Sequence, residues 1–370
     1  MLNQSEEPPL GQLTDHPETT QPPAPATILA LHRNELFPRH YLVIENHRLY
    51  PLTIEAKSLF DRYAGLIETP LSDYTFANNI IWLSQKSGFY QIIEDCFCLF
   101  ALHGNCLTML LPPLGRRANQ AAALDACFRI MDGYNATPFL SKIEYVYRDF
   151  VLALDTADDR WLIERSLPDY IYLTDDLIQL RGNAYKTKRG EINQFRRSHP
   201  DHRLERLGPQ HWEGIRALID TWLRNRLRYI SGEAIADFFY TVEQERQAIE
   251  RALTHYDTLG LQGLCLYINN RLEGFTFGER ITPTVANVLV EKTNFAIPGS
   301  AQFLFREFAK DFAGCRFINV GDDLGLENLR RVKMSYRPAF FGEKVILRRA
   351  GMHESRGRQD AESDRHNAPL

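Results

Sequence analysis

Apolar positions along the chain fall into short runs whose period changes several times. Residues 54–66 have a helical rhythm, and 118–131 repeat it, with Gly133 placed as a C-terminal stop. Between them, 88–111 is dense in large apolar residues. It reads as two strands, 89–102 and 106–111, turned at His103-Gly104-Asn105 and stopped by Pro112-Pro113. Residues 142–147 and 170–173 follow as strands. Thr174-Asp175-Asp176 offers an N-cap for a short helix ending near Gly182.

The second half repeats the theme. Residues 209–229 are helical, and Ser231-x-Glu233 opens another helix reaching about Tyr256. Strands 261–268 and 272–280 flank an Asn269-Asn270-Arg271 turn, and 285–291 makes a third strand. A helix over 299–312 carries Ala301, Phe305, Phe308 and Phe312 on one stripe. A strand at 317–320, a helix at 324–336 ended by Pro338, and a closing strand at 340–347 complete the pattern. Each half thus orders itself as helices, an antiparallel meander, then strand–helix–strand. The expected fold class is α/β with mixed sheets, in two domains of similar architecture.

The ends differ from the middle. Residues 1–27 hold six prolines, Glu6, Glu7, Asp15 and Glu18 but no Lys or Arg, and read as a disordered Pro-rich arm. Residues 351–370 read as a second disordered tail. The expected division is then 28–184 for the first domain, 185–200 for a basic linker helix and 201–350 for the second domain. The net charge of −4 excludes a uniformly basic nucleic-acid coat protein. No apolar run reaches the roughly 18 residues of a membrane span, and no secretory leader is visible. Six scattered cysteines fit core thiols rather than a disulfide framework or a metal site. A cytoplasmic location is the expectation.

Three local patterns carry candidate chemistry. In the run Glu291 to Ala301, a strand ends and a helix begins at Gly299-Ser300, whose free amides favour an anion. An ordinary capped turn is the alternative. In Asn319-Val320-Gly321-Asp322-Asp323, acids precede a helix carrying Arg330, Lys333 and Arg337 on one face. That reads as a phosphate or carboxylate clamp, or as simple complementation of the helix dipole. Lys188, Arg189, Arg196 and Arg197 crowd the linker, with Tyr185 and Phe195 interleaved. Such a segment binds phosphate backbones, or else is a solvated helix.

Beyond these patterns the chain resembles a known family. The residues are Glu291-Lys292, Gly299, Phe317-Ile318-Asn319, Asp323-Leu324-Gly325 and Leu329-Arg330-x-x-Lys333-x-Ser335-Tyr336-x-Pro338. The linker agrees in Asp169-Tyr170-Ile171-Tyr172, Leu180-x-Gly182 and Tyr185-x-x-Lys188-Arg189, and so does Ser72-x-Tyr74-x-Phe76-Ala77-Asn78. Over roughly residues 50–347 the sequence is similar to a bacterial family named for the C-terminal domain of phosphatidylglycerol lysyltransferase.

The resemblance implies two tandem Gcn5-related N-acyltransferase-like domains. It also implies transfer of an aminoacyl or acyl group to a hydroxyl or amine, with aminoacyl-tRNA or acyl-CoA as donor and a lipid or small molecule as acceptor. The coenzyme A loop of that fold, Arg/Gln-x-x-Gly-x-Gly/Ala, is represented here by Ala296-x-x-Gly299-x-Ala301, without the leading Arg or Gln. The expected site then has Glu291 and Tyr336 as catalytic groups. Lys292, Asn294, Gly299, Ser300, Ala301, Asn319, Asp322, Asp323, Arg330 and Lys333 hold substrate, and Lys188, Arg189, Arg196 and Arg197 hold tRNA. Glu291, Gly299, Asn319, Asp323, Arg330 and Lys333 are expected to converge at one sheet edge. A protein that keeps the fold without the reaction, or a tRNA-binding module, is the alternative.

Overall fold

The structure is a computed structural model that describes residues 28–34, 37–84, 86–154, 160–227 and 234–350. The two tails and Ser231–Glu233 lie outside the described residues. The first half runs β1 (Ile28–Asn34), β2 (Phe37–Ile44), β3 (His47–Pro51), α1 (Lys57–Ala64), α2 (Phe76–Trp82), β4 (Gly88–Ile93), β5 (Cys96–His103), β6 (Cys106–Met109), β7 (Leu114–Gly115), α3 (Arg117–Tyr134), β8 (Lys142–Tyr147), α4 (Arg148–Ala153) and β9 (Trp161–Arg165). Next come β10 (Asp169–Leu173), α5 (Thr174–Gln179), α6 (Lys186–Ser198), β11 (Arg203–Arg206), α7 (Trp212–Leu227), α8 (Ala234–Thr254), α9 (Tyr256–Leu259), β12 (Gln262–Ile268), β13 (Arg271–Thr282) and β14 (Val285–Thr293). The chain ends in α10 (Ser300–Ala309), β15 (Phe317–Asn319), α11 (Glu327–Met334), β16 (Phe340–Gly342) and β17 (Lys344–Arg349).

β5 explains the densest apolar run. Phe97, Leu99 and Ala101 face one core, while Cys96, Cys98 and Phe100 face another. A strand covered on both faces reads as continuous hydrophobicity rather than alternation. The single strand expected over 89–102 is instead a hairpin. Glu94 and Asp95 both adopt positive φ, 48° and 53°, and turn β4 into β5. No glycine or asparagine marks that turn, so the sequence hid it. Gly133 lies inside α3, which ends at Tyr134 with Asn135 as its C-cap. The Asn269-Asn270 turn forms as expected, with both residues at positive φ.

Two mixed sheets result. The larger runs β1-β2-β3-β4-β5-β6-β8-β17-β9, with β7 beside β5; the smaller runs β11-β12-β13-β14-β15-β10-β16. Hydrogen bonding therefore crosses the division expected from chain order. β10, before the linker helix, sits between β15 and β16 of the second sheet, and the C-terminal β17 sits between β8 and β9 of the first. The residues expected as one closing strand, 340–347, split between the two sheets. One core is also shared, because Phe97 and Leu99 of the first half pack in the same cluster as Phe275 and Phe277 of the second.

Candidate functional site

β14 is the axis of the site. It pairs antiparallel with β13 along most of its length, but parallel with β15 only at Val285↔Phe317, Ala286↔Ile318 and Asn287↔Asn319. β15 then stops while β14 continues, so the two strands open. On the β13 side Leu289 is an extra residue, since Phe277 faces Val290 and Gly278 faces Val288. Gly278 permits this bulge: a Cβ there would lie 2.0 Å from the Asn287 carbonyl oxygen.

Beyond the bulge Glu291 lies opposite Thr276. Thr276 alternates with Phe275 and Phe277, so Glu291 points away from the shared core, toward Tyr336. The Glu291 side chain is half-buried, but its Oε2 is buried and has no hydrogen-bond partner among the described residues. Burial pushes its carboxyl up to about 8, so at neutral pH it is mostly a neutral acid.

Tyr336 is buried on the same side, close enough for Glu291 to act on its phenol. Its ring meets Phe305 edge-on at 5.1 Å and Tyr172 at 6.2 Å, and the Lys188 ammonium sits 4.5 Å from its centre. Burial holds the phenol well above its ordinary range, with Glu291 and Glu191 adding to the effect. Burial also lowers the Lys188 ammonium, which Glu191 Oε2 opposes from 3.8 Å. Glu191 Oε2 itself is buried without a hydrogen bond among the described residues. The group is thus two carboxyls, a phenol and an ammonium on the α6 side of the second sheet. Glu191 was missed as a member, and Lys188 was expected on an outer surface. A signal existed: Lys188, Ile192 and Phe195 recur at i, i+4 and i+7, one inward face of α6.

The remaining expected residues do not join this group. Asn319 is fully buried on the opposite face, where its Nδ2 donates to Pro70 O and Asp169 Oδ2, both at 2.8 Å. It is level with Asn287, four residues before Glu291, or roughly 13 Å along the strand. β15 is the neighbour of β14, as expected, but the register and face separate the two side chains, so the single convergent pocket does not form. Asp323 accepts from Tyr170 Oη at 2.6 Å and from Arg330 Nε at 2.9 Å. Against the cost of burial, these bonds hold its carboxyl at about 2. Lys333 Nζ donates to the carbonyls of Val320, Gly321 and Asp322, and burial lowers it to about 8. Asp322 lies 3.6 Å from Lys344. These residues tie down the loop before α11.

The turn between β14 and α10 is also committed internally. Asn294 Nδ2 donates to Glu273 Oε2 at 2.8 Å, and Ser300 Oγ donates to Ile297 O at 2.8 Å. Gly299 has φ 81°, and a Cβ on it would lie 2.4 Å from the Glu191 carbonyl oxygen. This turn is pressed onto α6, with Ala301 half-buried behind it. Lys292 points to the other face, with its ammonium 2.7 Å from Glu245 and 3.9 Å from the centre of the Trp222 ring. Of the remaining linker bases, Arg189 donates to the Leu180 and Gly182 carbonyls, Arg196 pairs with Glu307 at 3.3 Å, and Arg197 is exposed.

Among the described residues no helix is long and apolar enough to cross a membrane, and no three His, Cys, Asp or Glu gather as a metal site. No curated protein matches the chain by sequence. A conserved protein of unknown function from Bacteroides thetaiotaomicron is 25% identical and superposes with TM-score 0.70, covering 82% of this chain and 99% of that one. The C-terminal domain of a protein assigned as a lysylphosphatidylglycerol synthetase from Agrobacterium fabrum is 13% identical, with TM-score 0.58 over 83% and 96% of the two chains. L-PGS from Bacillus licheniformis is 14% identical, with TM-score 0.57 over 82% and 95%. The two mixed sheets bear out the expected α/β fold class. The family model described as phosphatidylglycerol lysyltransferase, C-terminal, matches residues 65–347, and the chain belongs to that family.

Proposed function

We propose that this chain transfers an aminoacyl or acyl group to a hydroxyl or amine acceptor at the opening between β14 and β15. The observation that carries the reading is the unpartnered Glu291 Oε2 beside Tyr336. A proton acceptor works best when its pKa lies near the working pH, and Glu291 is pushed up to about 8. In its ionised form it takes the proton of the acceptor O–H or N–H. The freed lone pair attacks the acyl carbonyl, a tetrahedral centre forms, and the bond from the acyl carbon to the leaving oxygen or sulfur breaks. Tyr336, held protonated, supplies the leaving atom's proton, and the Glu291 proton then restores Tyr336 through solvent. Lys188, whose ammonium sits over the Tyr336 ring, favours developing negative charge.

An aminoacyl ester such as aminoacyl-tRNA suits the site better than acyl-CoA. The Gly299 turn that would cradle a pyrophosphate is packed on the Glu191 carbonyl, and Ala296 replaces the leading Arg or Gln. The relatives named for lysylphosphatidylglycerol synthesis support a lipid hydroxyl as acceptor.

The test uses the full chain with tRNA charged with labelled amino acids and phosphatidylglycerol vesicles, and a separate arm with acetyl-CoA and an amine mixture. Label in the lipid extract that falls at least about 100-fold in Glu291→Gln supports the proposal. Free thiol in the second arm, lost in the same variant, assigns acyl-CoA instead. Folded protein that transfers nothing in either arm overturns it.

A further inference from the structure

Lys292 leaves β14 on the face opposite Glu291 and enters the gap between α7 and α8. Its ammonium meets a set of partners suited to an alkylammonium. The Trp222 ring lies 3.9 Å away on one side, and Glu245 Oε2 lies 2.7 Å away on another. Ile219, Val242 and Ile249 line the apolar remainder. Cation–π attraction and a single carboxylate are how proteins select an ammonium over a neutral group of equal size.

The cage does not end at Lys292. Beside the ammonium is a void of about 10 Å³ bounded by Ile219, Trp222, Val242, Glu245, Arg246 and Lys292. That is room for about one water. Ile219 and Arg246 are also walls of a cleft of about 450 Å³ that opens outward between the same helices, lined further by Arg216, Asp220 and Glu250. Most charges on that cleft are already paired. Arg216 forks onto Glu250 at 2.7 and 2.8 Å, and Arg246 forks onto Glu243 at 2.8 and 2.6 Å. The exposed Asp220 acts on Arg246 electrostatically but makes no close ion pair among the described residues. The cleft therefore presents a spare negative charge at its mouth and an ammonium cage at its floor.

We propose that the Trp222–Glu245 cage is a binding site for a ligand bearing a primary alkylammonium, and that Lys292 is its resident occupant, displaced when such a ligand enters from the α7–α8 cleft. A packing lysine needs its carboxylate, but it does not need the open cleft that adjoins this cage. The proposal does not depend on the transfer reaction, because Glu291 and Tyr336 lie across the sheet and the readout is binding.

A resident that fills the cage nine-tenths of the time lowers the apparent affinity of an incoming ligand by roughly tenfold. Calorimetry of the full chain with n-butylammonium and cadaverine, and with n-butanol as the neutral control, tests this. Lys292→Met and Lys292→Gln should bind the ammonium ligands about tenfold more tightly than the wild-type chain does. Neither variant should bind butanol. Glu245→Gln and Trp222→Leu should lose the preference for ammonium over butanol. Should both Lys292 variants fail to fold, the wild-type chain decides: a melting shift by cadaverine, absent with butanol and lost in Glu245→Gln, supports the site. Equal response to ammonium and neutral ligands in the folded variants, or in the wild type when it alone folds, overturns it.

Discussion

Lys344 Nζ lies 2.7 Å from Asp73 Oδ2, although 271 residues separate them in sequence. Lys344 begins β17, the strand that the end of the chain contributes to the first sheet, and Asp73 lies just before α2. The same ammonium reaches Asp169 Oδ1 at 2.9 Å and Asp322 Oδ2 at 3.6 Å. Asp169 also accepts from Ser72 N at 2.9 Å, Ser72 Oγ at 2.8 Å and Asn319 Nδ2 at 2.8 Å. One buried lysine thus serves three carboxylates drawn from both halves of the molecule, at the point where strands are exchanged between sheets.

Removing that lysine leaves the carboxylates buried without their cation. Loss of one partner from a buried ion pair costs about 3–5 kcal/mol. Lys344→Met should therefore lower the urea unfolding free energy by about that amount, well beyond the effect of Arg246→Met, which breaks an exposed i,i+3 pair with Glu243. Equal, small losses in the two variants would show that the junction does not depend on Lys344.

Glu291 sets a pH dependence of opposite origin. Its ordinary value is 4.5 and burial raises it to about 8 in the folded chain. Below 4.5 both states hold the proton and the group is neutral to stability. Between 4.5 and 8 the unfolded chain releases it while the folded chain keeps it, so stability falls as pH rises through that window and levels off above it. Glu291→Gln should match the wild type near pH 4.5 and become progressively more stable than it toward pH 8. Parallel stability curves for the two proteins would remove the raised carboxyl from the account.

The order of elements was legible because its signals are local. Asn269-Asn270 marks a hairpin by needing positive φ, and the alternation after it marks the strands. The partition of strands between sheets was not legible. β10 and β17 carry ordinary strand patterns, and nothing in Tyr170-Ile171-Tyr172 or Val345-Ile346-Leu347 says which sheet will take them. That choice rests on long-range contacts such as Lys344 with Asp73. The candidate site suffered in the same way. Glu291 and Tyr336 both belong to the family pattern, and they lie within electrostatic reach of each other. Asn319, Asp323 and Lys333 belong to the same pattern but face the junction and its loop, because a one-residue change of register sends a side chain to the other face of a sheet.

Gly299 offers a contrast between two costs. Its φ of 81° disfavours any side chain, and a Cβ would meet the Glu191 carbonyl at 2.4 Å, a backbone atom that cannot turn aside. Gly325 has φ 70° with nothing within 4 Å. Gly325→Ala should then cost only the left-handed backbone penalty, about 1–2 kcal/mol. Gly299→Ala should cost clearly more and lower transfer activity as α6 is pushed off the turn. Comparable melting temperatures for the two variants would show that α6 gives way freely there.

The four bases of the linker helix divide into two that are held and two that are exposed. Lys188 is buried against the Tyr336 ring, and Arg189 is held by the Leu180 and Gly182 carbonyls. Arg197 is exposed, and the exposed Arg196 makes a partly exposed pair with Glu307, a contact worth little in water, and lies 5.3 Å from the centre of the Phe303 ring. If tRNA lies along α6, Arg196 and Arg197 meet its phosphates and Lys188 does not. Each lost phosphate contact lowers the slope of log affinity against log salt by about one. The double variant Arg196→Ala/Arg197→Ala should weaken tRNA binding and lower that slope by about two. Lys188→Met should leave both unchanged while shifting the melting temperature and the transfer rate. Equal losses of affinity and slope in the two proteins would place Lys188 on the binding surface, and absence of tRNA retention by the wild-type chain at low salt would remove tRNA as the donor.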